Sequence, residues 1–410
     1  VGHIISGATE KSDDNLINEA VRTLGSLSTS LGWSRYQSLV LTYLRLATVK
    51  GGNQKHFVRA ISAILDNFHF AMDDDIADEA YEEEQTPALL DGDVDERNDD
   101  EGTEQQEFRR KEAKRIADYI TGRLLPALIK FVEQKDETED SIRIPVAVGV
   151  VKVARALPEE TRNAEVTRTI TVLSQILRSK DYNVRKLVKK TLSSIAIILG
   201  PEWLGSIFKE LRGALQRGPQ LHVLAFVVHA ILVDVTSNAA NRFTNLDNAV
   251  IDVVTVSAEV IWGQSGRDVD AEGFKTKMPE VNGAAKAAYH SFELISSLIS
   301  PTKISQVLVP LRAILHETQA TKPMQQVDDV LKSIAIGLKS NKQMGAIEIL
   351  RLCHTLINSS SAFLQKDKEA KPLRDMGPEA AGAFKVQMKR KAESSGDFYE
   401  SNAHKFIGFG

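Results

Sequence analysis

From Val166 onward the chain repeats one plan, a pair of amphipathic helices joined by a polar turn, and this repetition restricts the fold more than any other feature. Val166, Ile170, Leu173, Ile176 and Leu177 recur at helical spacing up to the polar turn Arg178-Ser179-Lys180. Asp181 then stands where an N-cap is wanted. Val184, Leu187, Val188, Leu192, Ile195, Ile198 and Leu199 form a second stripe, which Gly200-Pro201 ends. The next unit follows the same order. Trp203, Leu204, Ile207, Phe208, Leu211 and Leu215 predict one helix, and Val223, Leu224, Phe226, Val227, Ile231 and Val233 predict its partner beyond Arg217-Gly218-Pro219. The step from Val166 to Trp203 is 37 residues.

Further pairs are read at Leu246 to Trp262 with Ala284 to Ile299 and at Ile304 to Leu315 with Val327 to Leu338, followed by an unpaired Met344 to Ile357. Earlier hairpins are predicted over Arg35 to Ala47 with His56 to Phe70, and over Arg123 to Val132 with Ile144 to Ala156. Nothing alternates with period two over a useful length. A chain of 410 residues exceeds the roughly 250 to 300 at which a single core stops growing, so it divides or extends as a repeat. Hydrophobic residues at 42% supply a core, and aromatics at only 6% suit helix-on-helix packing better than a β-sandwich. The fold class expected is all-α, a HEAT or armadillo-type α-solenoid in which stacked hairpins bury each other's apolar faces.

The formal net charge of -4 hides an asymmetry. Residues 73–107 hold 17 Asp or Glu against the single base Arg97, so this stretch carries -16 and the remainder +12. Its few apolar residues show no helical period and cannot offset the entropy of ordering, which predicts a long disordered loop between helices. Such a run reads either as a solubilising insertion or as a docking strip for a basic partner or a mimic of nucleic acid. The expected organisation is N-terminal helical repeats over 1–72, the acidic loop over 73–107 and a repeat array over 108–365 with an irregular insertion at 263–283. Residues 366–410 are read as a polar loop and a basic helix, about Ala380 to Ser394, opening a further repeat. Starting at Val1 and ending just after Phe406-Ile407-Gly408-Phe409, the chain reads as a segment of something longer.

Enzyme chemistry finds no foothold in the motifs. No phosphate-binding loop, dinucleotide fingerprint, zincin helix or nucleophile elbow occurs, so no catalytic residue, cofactor, metal site or small-molecule substrate is expected. His222 and His229 lie seven apart on one apolar helix with no Cys or acidic residue within four positions, and read as core or groove histidines rather than ligands. Cys353, the only cysteine, sits in an apolar pattern and reads as a core thiol; no internal disulfide is possible, and a reducing compartment, cytosol or nucleus, is expected. No run approaches 18 uninterrupted apolar residues, so no membrane association is expected.

The stronger signal is basic. At about 100° per residue, Lys186, Lys189 and Lys190 fall opposite the stripe of Val184, Leu187 and Val188, with Arg185 on its flank, so that four cations are expected on one exposed face. Lys209, Arg212 and Arg217 extend the charge along the next hairpin. Arg109, Arg110, Lys111, Lys114 and Arg115 form another cluster, as do Lys385, Lys389, Arg390 and Lys391. Each reads either as a solvated face or as a set of phosphate contacts, the second favoured by the +12 outside the acidic run. The RNA-binding candidates are therefore Arg185, Lys186, Lys189, Lys190, Lys209, Arg212 and Arg217.

Three strings are more specific than a repeat pattern. DYNVRKLVKKTLSSIAIILGPEWLGSIFKELRGALQRGPQLHVLAFVVHAILV, then KMPEVNGAAKAAYHSFELISSLISP, then LVPLRAILHETQATKPMQQVDDVLKSIAIGLKSN resemble, in this order, the large HEAT-repeat protein of the small-subunit processome known as down-regulated in metastasis. The likeness covers Ile144 to Asn341. It implies a nucleolar scaffold that contacts pre-ribosomal RNA and ribosome-assembly proteins, with no catalytic residues to carry over. Two other readings stay open on the residues alone: a nuclear transport receptor or other protein-only HEAT adaptor that holds basic cargo on the acidic run, and the helical-repeat portion of a giant kinase of the phosphatidylinositol-kinase-like type.

Overall fold

The structure is a computed structural model of the chain and describes residues 2–6, 14–49, 54–70, 72, 99–134, 140–216, 218–238, 242–263, 278–361 and 398–410. Every regular element among them is helical, and the fold is an all-α solenoid type of stacked helical hairpins. The chain divides into two compact units, Val1–Ile195 and Ala196–Gly410.

The first unit runs through α1 (Gly2–Ser6), α2 (Asp14–Ser28), α3 (Trp33–Thr48), α4 (Gln54–Asp66), α5 (Asp99–Tyr119), a π-helical turn (Ile120–Leu124), α6 (Leu125–Glu133), α7 (Asp140–Arg143), α8 (Val146–Arg155) and α9 (Glu159–Ile176). The helix α10 (Tyr182–Leu199) begins in it and contains the division point. Helix α4 is the hub, packed by α2, α3 and α8. Its Ala60, Ile61, Ile64 and Leu65 are fully buried, and each aliphatic side chain sequestered like this stabilises the stack by about 1.5 to 3 kcal/mol. The Tyr36 hydroxyl donates to the Ile64 carbonyl at 2.8 Å. Burial, with Asp66 second, pushes this phenol well above the ordinary tyrosine range and keeps it a donor. Around it, Trp33, Phe68, Phe70 and Tyr119 meet edge-on, which ties the end of α5 to α3 and to the segment after α4.

The second unit contains α11 (Leu204–Ala214), α12 (Pro219–Asn238), α13 (Val250–Trp262), α14 (Pro279–Ser296), α15 (Ile304–Glu317), α16 (Thr321–Ser340), α17 (Ala346–Ser361), α18 (Tyr399–Asn402) and α19 (His404–Phe409). Two layers result. Helices α11, α13, α15 and α18 stack in chain order, and α12, α14, α16 and α19 stack as the second layer. The hairpin partners α11 with α12, α13 with α14 and α15 with α16 join the layers. This is the packing the repeat demands, since each hairpin has two apolar faces and covers one with each neighbour.

Helix ends within the stack are closed by side chains of later elements. A helix leaves its last carbonyls without donors, and in a packed array water reaches them poorly. The Asn341 amide donates to Ser296 and Ile299 carbonyls at 2.9 and 2.8 Å, and the Asn402 amide to Leu315 and Thr318 at 2.8 and 2.9 Å. Arg242 reaches the Ile197 carbonyl at 3.0 Å, beside Gly200, whose φ of +102° lets the chain turn out of α10.

One helix among the described residues, α12, is long and apolar enough to cross a bilayer by length and composition. Its position is that of a core helix: Val223, Leu224, Val227, Val228 and Ile231 are buried where it packs between α13 and α14.

Three boundaries differ from the sequence reading. The stretch expected to be loop through Glu107 is helical from Asp99, and the insertion expected to end at Gly283 gives way to α14 at Pro279, a proline at the first helical position. Helix α9 starts at Glu159, before the first apolar residue of its stripe, with Glu159 and Glu160 favouring the positive end of its dipole. Residues 73–98, most of the 263–283 insertion, the polar loop from Lys366 and the basic helix expected at Ala380 to Ser394 lie outside the described residues.

Candidate nucleic-acid interface

Helix α10 starts where its sequence says. The Asp181 carboxylate accepts from the Asn183 backbone N–H at 2.8 Å, an N-cap that satisfies one of the orphan donors of the first turn. Val184, Val188, Leu192 and Ile195 are buried along one face, while Leu187 is half-buried at its edge. On the other side Lys186 and Lys190 are exposed, one turn apart, and Lys189 is half-buried beside them and already engaged in interactions within the protein. Tyr182, 40% exposed, lies one turn before Lys186 on the same side. It was not among the expected contacts, which were chosen by charge, although the helical angle that sets Lys186 opposite the apolar stripe sets Tyr182 there too.

Arg185 corrects the expected set. It is only 2% exposed, and its Nη1 donates to the Ser179 and Lys180 carbonyls at 3.0 and 2.9 Å, with the guanidinium 5.9 Å from the Tyr182 ring centroid. Those carbonyls belong to the turn after α9 and need donors, and a long side chain flanking the apolar stripe can bend inward to supply them. Arg185 therefore braces the turn between α9 and α10 and does not share the exposed face of Lys186 and Lys190.

In the second unit Lys209 is exposed on α11. Arg212 is partly buried and forms an ion pair with Asp252 of α13, which locks these stacked helices and neutralises much of its charge. Arg217 lies outside the described residues, as do Lys385, Lys389, Arg390 and Lys391. Arg109, Arg110, Lys111, Lys114 and Arg115 are all exposed along α5, next to an exposed Phe108.

His222 is buried on α12, and the His229 Nε2 lies 2.8 Å from the His290 Nδ1 of α14, so that one ring nitrogen donates to the other. This pairing joins residues 61 apart and depends on the stacking of α12 on α14, which no local pattern records. Among the described residues no group of three or more His, Cys, Asp or Glu could hold a metal ion. Cys353 is half-buried rather than a core thiol, because α17 packs with α19 on one side and leaves Ile347 and Leu350 exposed on another.

A family described as the U3 small nucleolar RNA-associated protein 20 domain matches residues 133–357, more than half of the chain. The chain belongs to this family. It is 26% identical over 403 residues to U3 small nucleolar RNA-associated protein 20 of Schizosaccharomyces pombe, covering 96% of this chain and 15% of that protein. It is also 26% identical over 378 residues to the protein of the same name in Saccharomyces cerevisiae, covering 92% of this chain and 14% of that one. The chain thus spans about one-seventh of the length of these relatives. The matched residues run from the end of α6 into α17, including α10 with Lys186 and Lys190, and bear out the resemblance drawn from the three sequence strings.

Proposed function

We propose that this chain is a segment of a non-catalytic scaffold in small ribosomal subunit assembly, acting in pre-ribosomal RNA processing in the nucleolus and binding pre-ribosomal RNA and assembly factors. Membership of the family carries this reading, since both relatives bear names that associate them with the U3 small nucleolar RNA. The surface of α10 supports it in physical terms. Lys186 and Lys190 project cations from a rigid helix, with the Tyr182 ring beside them as a face on which an unpaired base can stack. Lysines on a repeat scaffold bind phosphates without reading sequence, which suits a protein that holds folded RNA. Lys209 and the cations of α5 are further contacts of the same kind.

The test is recovery of RNA with the tagged protein from nucleolar extract. The scaffold reading expects precursor ribosomal RNA and U3 small nucleolar RNA to be enriched over a mock purification. It also expects Lys186→Glu with Lys190→Glu to lower the RNA yield while leaving the protein folded. Recovery of neither RNA contradicts it. A protein-only adaptor that holds basic cargo on its acidic run is the competing reading, favoured by the -16 of residues 73–107. Removing residues 73–98, which spares α5, would abolish partner binding in an adaptor but leave RNA association intact or stronger in the scaffold.

A further inference from the structure

In the first unit a groove of about 450 Å3 runs beside α4, lined by Lys55, Val58, Arg59, Ala63 and Asp66 of that helix, by Ile142 and Pro145, and by Leu187 of α10. Its lining is mostly aliphatic, with two cations, one acid and the Ser62 hydroxyl among the apolar side chains. Lys55 is exposed, and Arg59 is held through Nη1 by the neutral amide oxygen of Asn18 at 3.0 Å. The acid of the lining, Asp66, is paired with Lys152 at 2.8 Å. His56, beside these cations, has its pKa lowered by burial first and then by Arg59, with Lys55 adding to it against Asp14. With Asp66 paired to Lys152, the charges of Lys55 and Arg59 leave the lining of the groove net positive.

We propose that this groove takes an extended acidic segment bearing aliphatic side chains, and that its occupant is the chain's own acidic run, residues 73–98. Charge complementarity is the first argument. The run holds 12 Asp or Glu with only Arg97 opposing, and carries Ile76, Val94 and the Ala88-Leu89-Leu90 triplet between its acids. Those side chains suit Val58, Ala63, Ile142 and Leu187, whereas none of these lining residues is an aromatic on which RNA bases could stack. Tethering is the second argument. The run leaves from the buried Met72, six residues beyond Asp66, so the occupant is held next to the groove at an effective concentration that free partners do not reach. Residues spanning up to about 3.3 to 3.6 Å each bring Leu89 and Leu90 within reach of the whole groove. The inference stands independently of RNA binding.

The first measurement uses the intact chain, treated with a zero-length carbodiimide that joins lysine amines to carboxylates. Cross-links from Lys55 to Asp or Glu of residues 73–98 are expected. The second titrates a labelled peptide of residues 73–98 into the full chain whose own run has its acids replaced by Ser and Asn. Saturable binding is expected, weakened at least about tenfold by Lys55→Glu with Arg59→Glu and unchanged by Lys339→Glu on α16. A peptide with Leu89→Asn and Leu90→Asn, which leaves the protein untouched, should bind at least about tenfold more weakly than the natural sequence. Absence of Lys55 cross-links, peptide binding indifferent to the leucines, or an inert peptide where short RNA cross-links to Lys55 instead would overturn the proposal.

Discussion

Replacing Arg185 with methionine keeps much of the aliphatic packing of its stem but removes the donors that Ser179 and Lys180 accept from. Hydrogen bonds from a charged donor contribute about 1.5 to 3 kcal/mol each and are not additive, so a loss of about 2 to 4 kcal/mol in urea unfolding is expected, with RNA affinity unchanged while the protein stays folded. Lys186→Ala and Lys190→Ala should do the reverse, leaving stability within about 0.5 kcal/mol and reducing the salt slope of RNA binding by about one per lysine. Helical angle alone put these three residues together, since it records direction from the axis and not what a long side chain can bend back to reach. His56 provides a pH signature. Its folded pKa lies below the ordinary histidine value, so the unfolded chain takes up the proton more readily. The stability it allows is present above the ordinary value and is lost as pH falls from there toward the lowered one. The melting temperature should therefore fall between neutral pH and pH 5, and His56→Gln should flatten that part of the curve; an unchanged profile would remove His56 from the account.

At the scale of helices, the apolar period and the capping signals in the sequence were sufficient for most elements. Asp181 caps α10, Gly200 turns the chain out of it, and the stripes from Trp203 and Val223 become α11 and α12. The start of α9 was missed because its first turns carry no apolar stripe, although Pro158, Glu159 and Glu160 signal it. Contacts between repeats were not legible at all. Nothing in the sequence around Asn341 tells that its amide serves the end of α14, which depends on how hairpins stack and not on their own pattern. Asn341→Leu should cost about 2 to 4 kcal/mol by leaving two buried carbonyls without donors. Gly337 marks the same interface: a Cβ there would lie 2.2 Å from the Glu293 carbonyl, so Gly337→Ala must push α16 off α14. A loss of about 1 to 3 kcal/mol in chemical denaturation is expected, against a gain of up to about 1 kcal/mol for Gly213→Ala in α11, where a Cβ meets open space and alanine favours the helix.

For the molecule as a whole, the repeat pattern determines the class of fold, and an array of stacked hairpins presents extended helix faces. Family membership was legible in the three strings, and the charge of the helix faces is the sequence signal on which the proposed RNA contacts rest. The buried Arg185 and the paired Arg212 show why a count of cations overstates an exposed charged face, since an array of helices also uses guanidinium groups to brace its turns and tie its stacked helices. The most direct test of the scaffold account is RNA binding by the purified chain across a salt series, beside Lys186→Glu with Lys190→Glu. Several phosphate contacts predict an affinity that falls more than about tenfold between about 50 and 200 mM salt, with a shallower slope and weaker binding in the double variant. Binding that is absent at every salt concentration, or that is indifferent both to salt and to the two lysines, would contradict the assignment of α10 as an RNA-contacting surface.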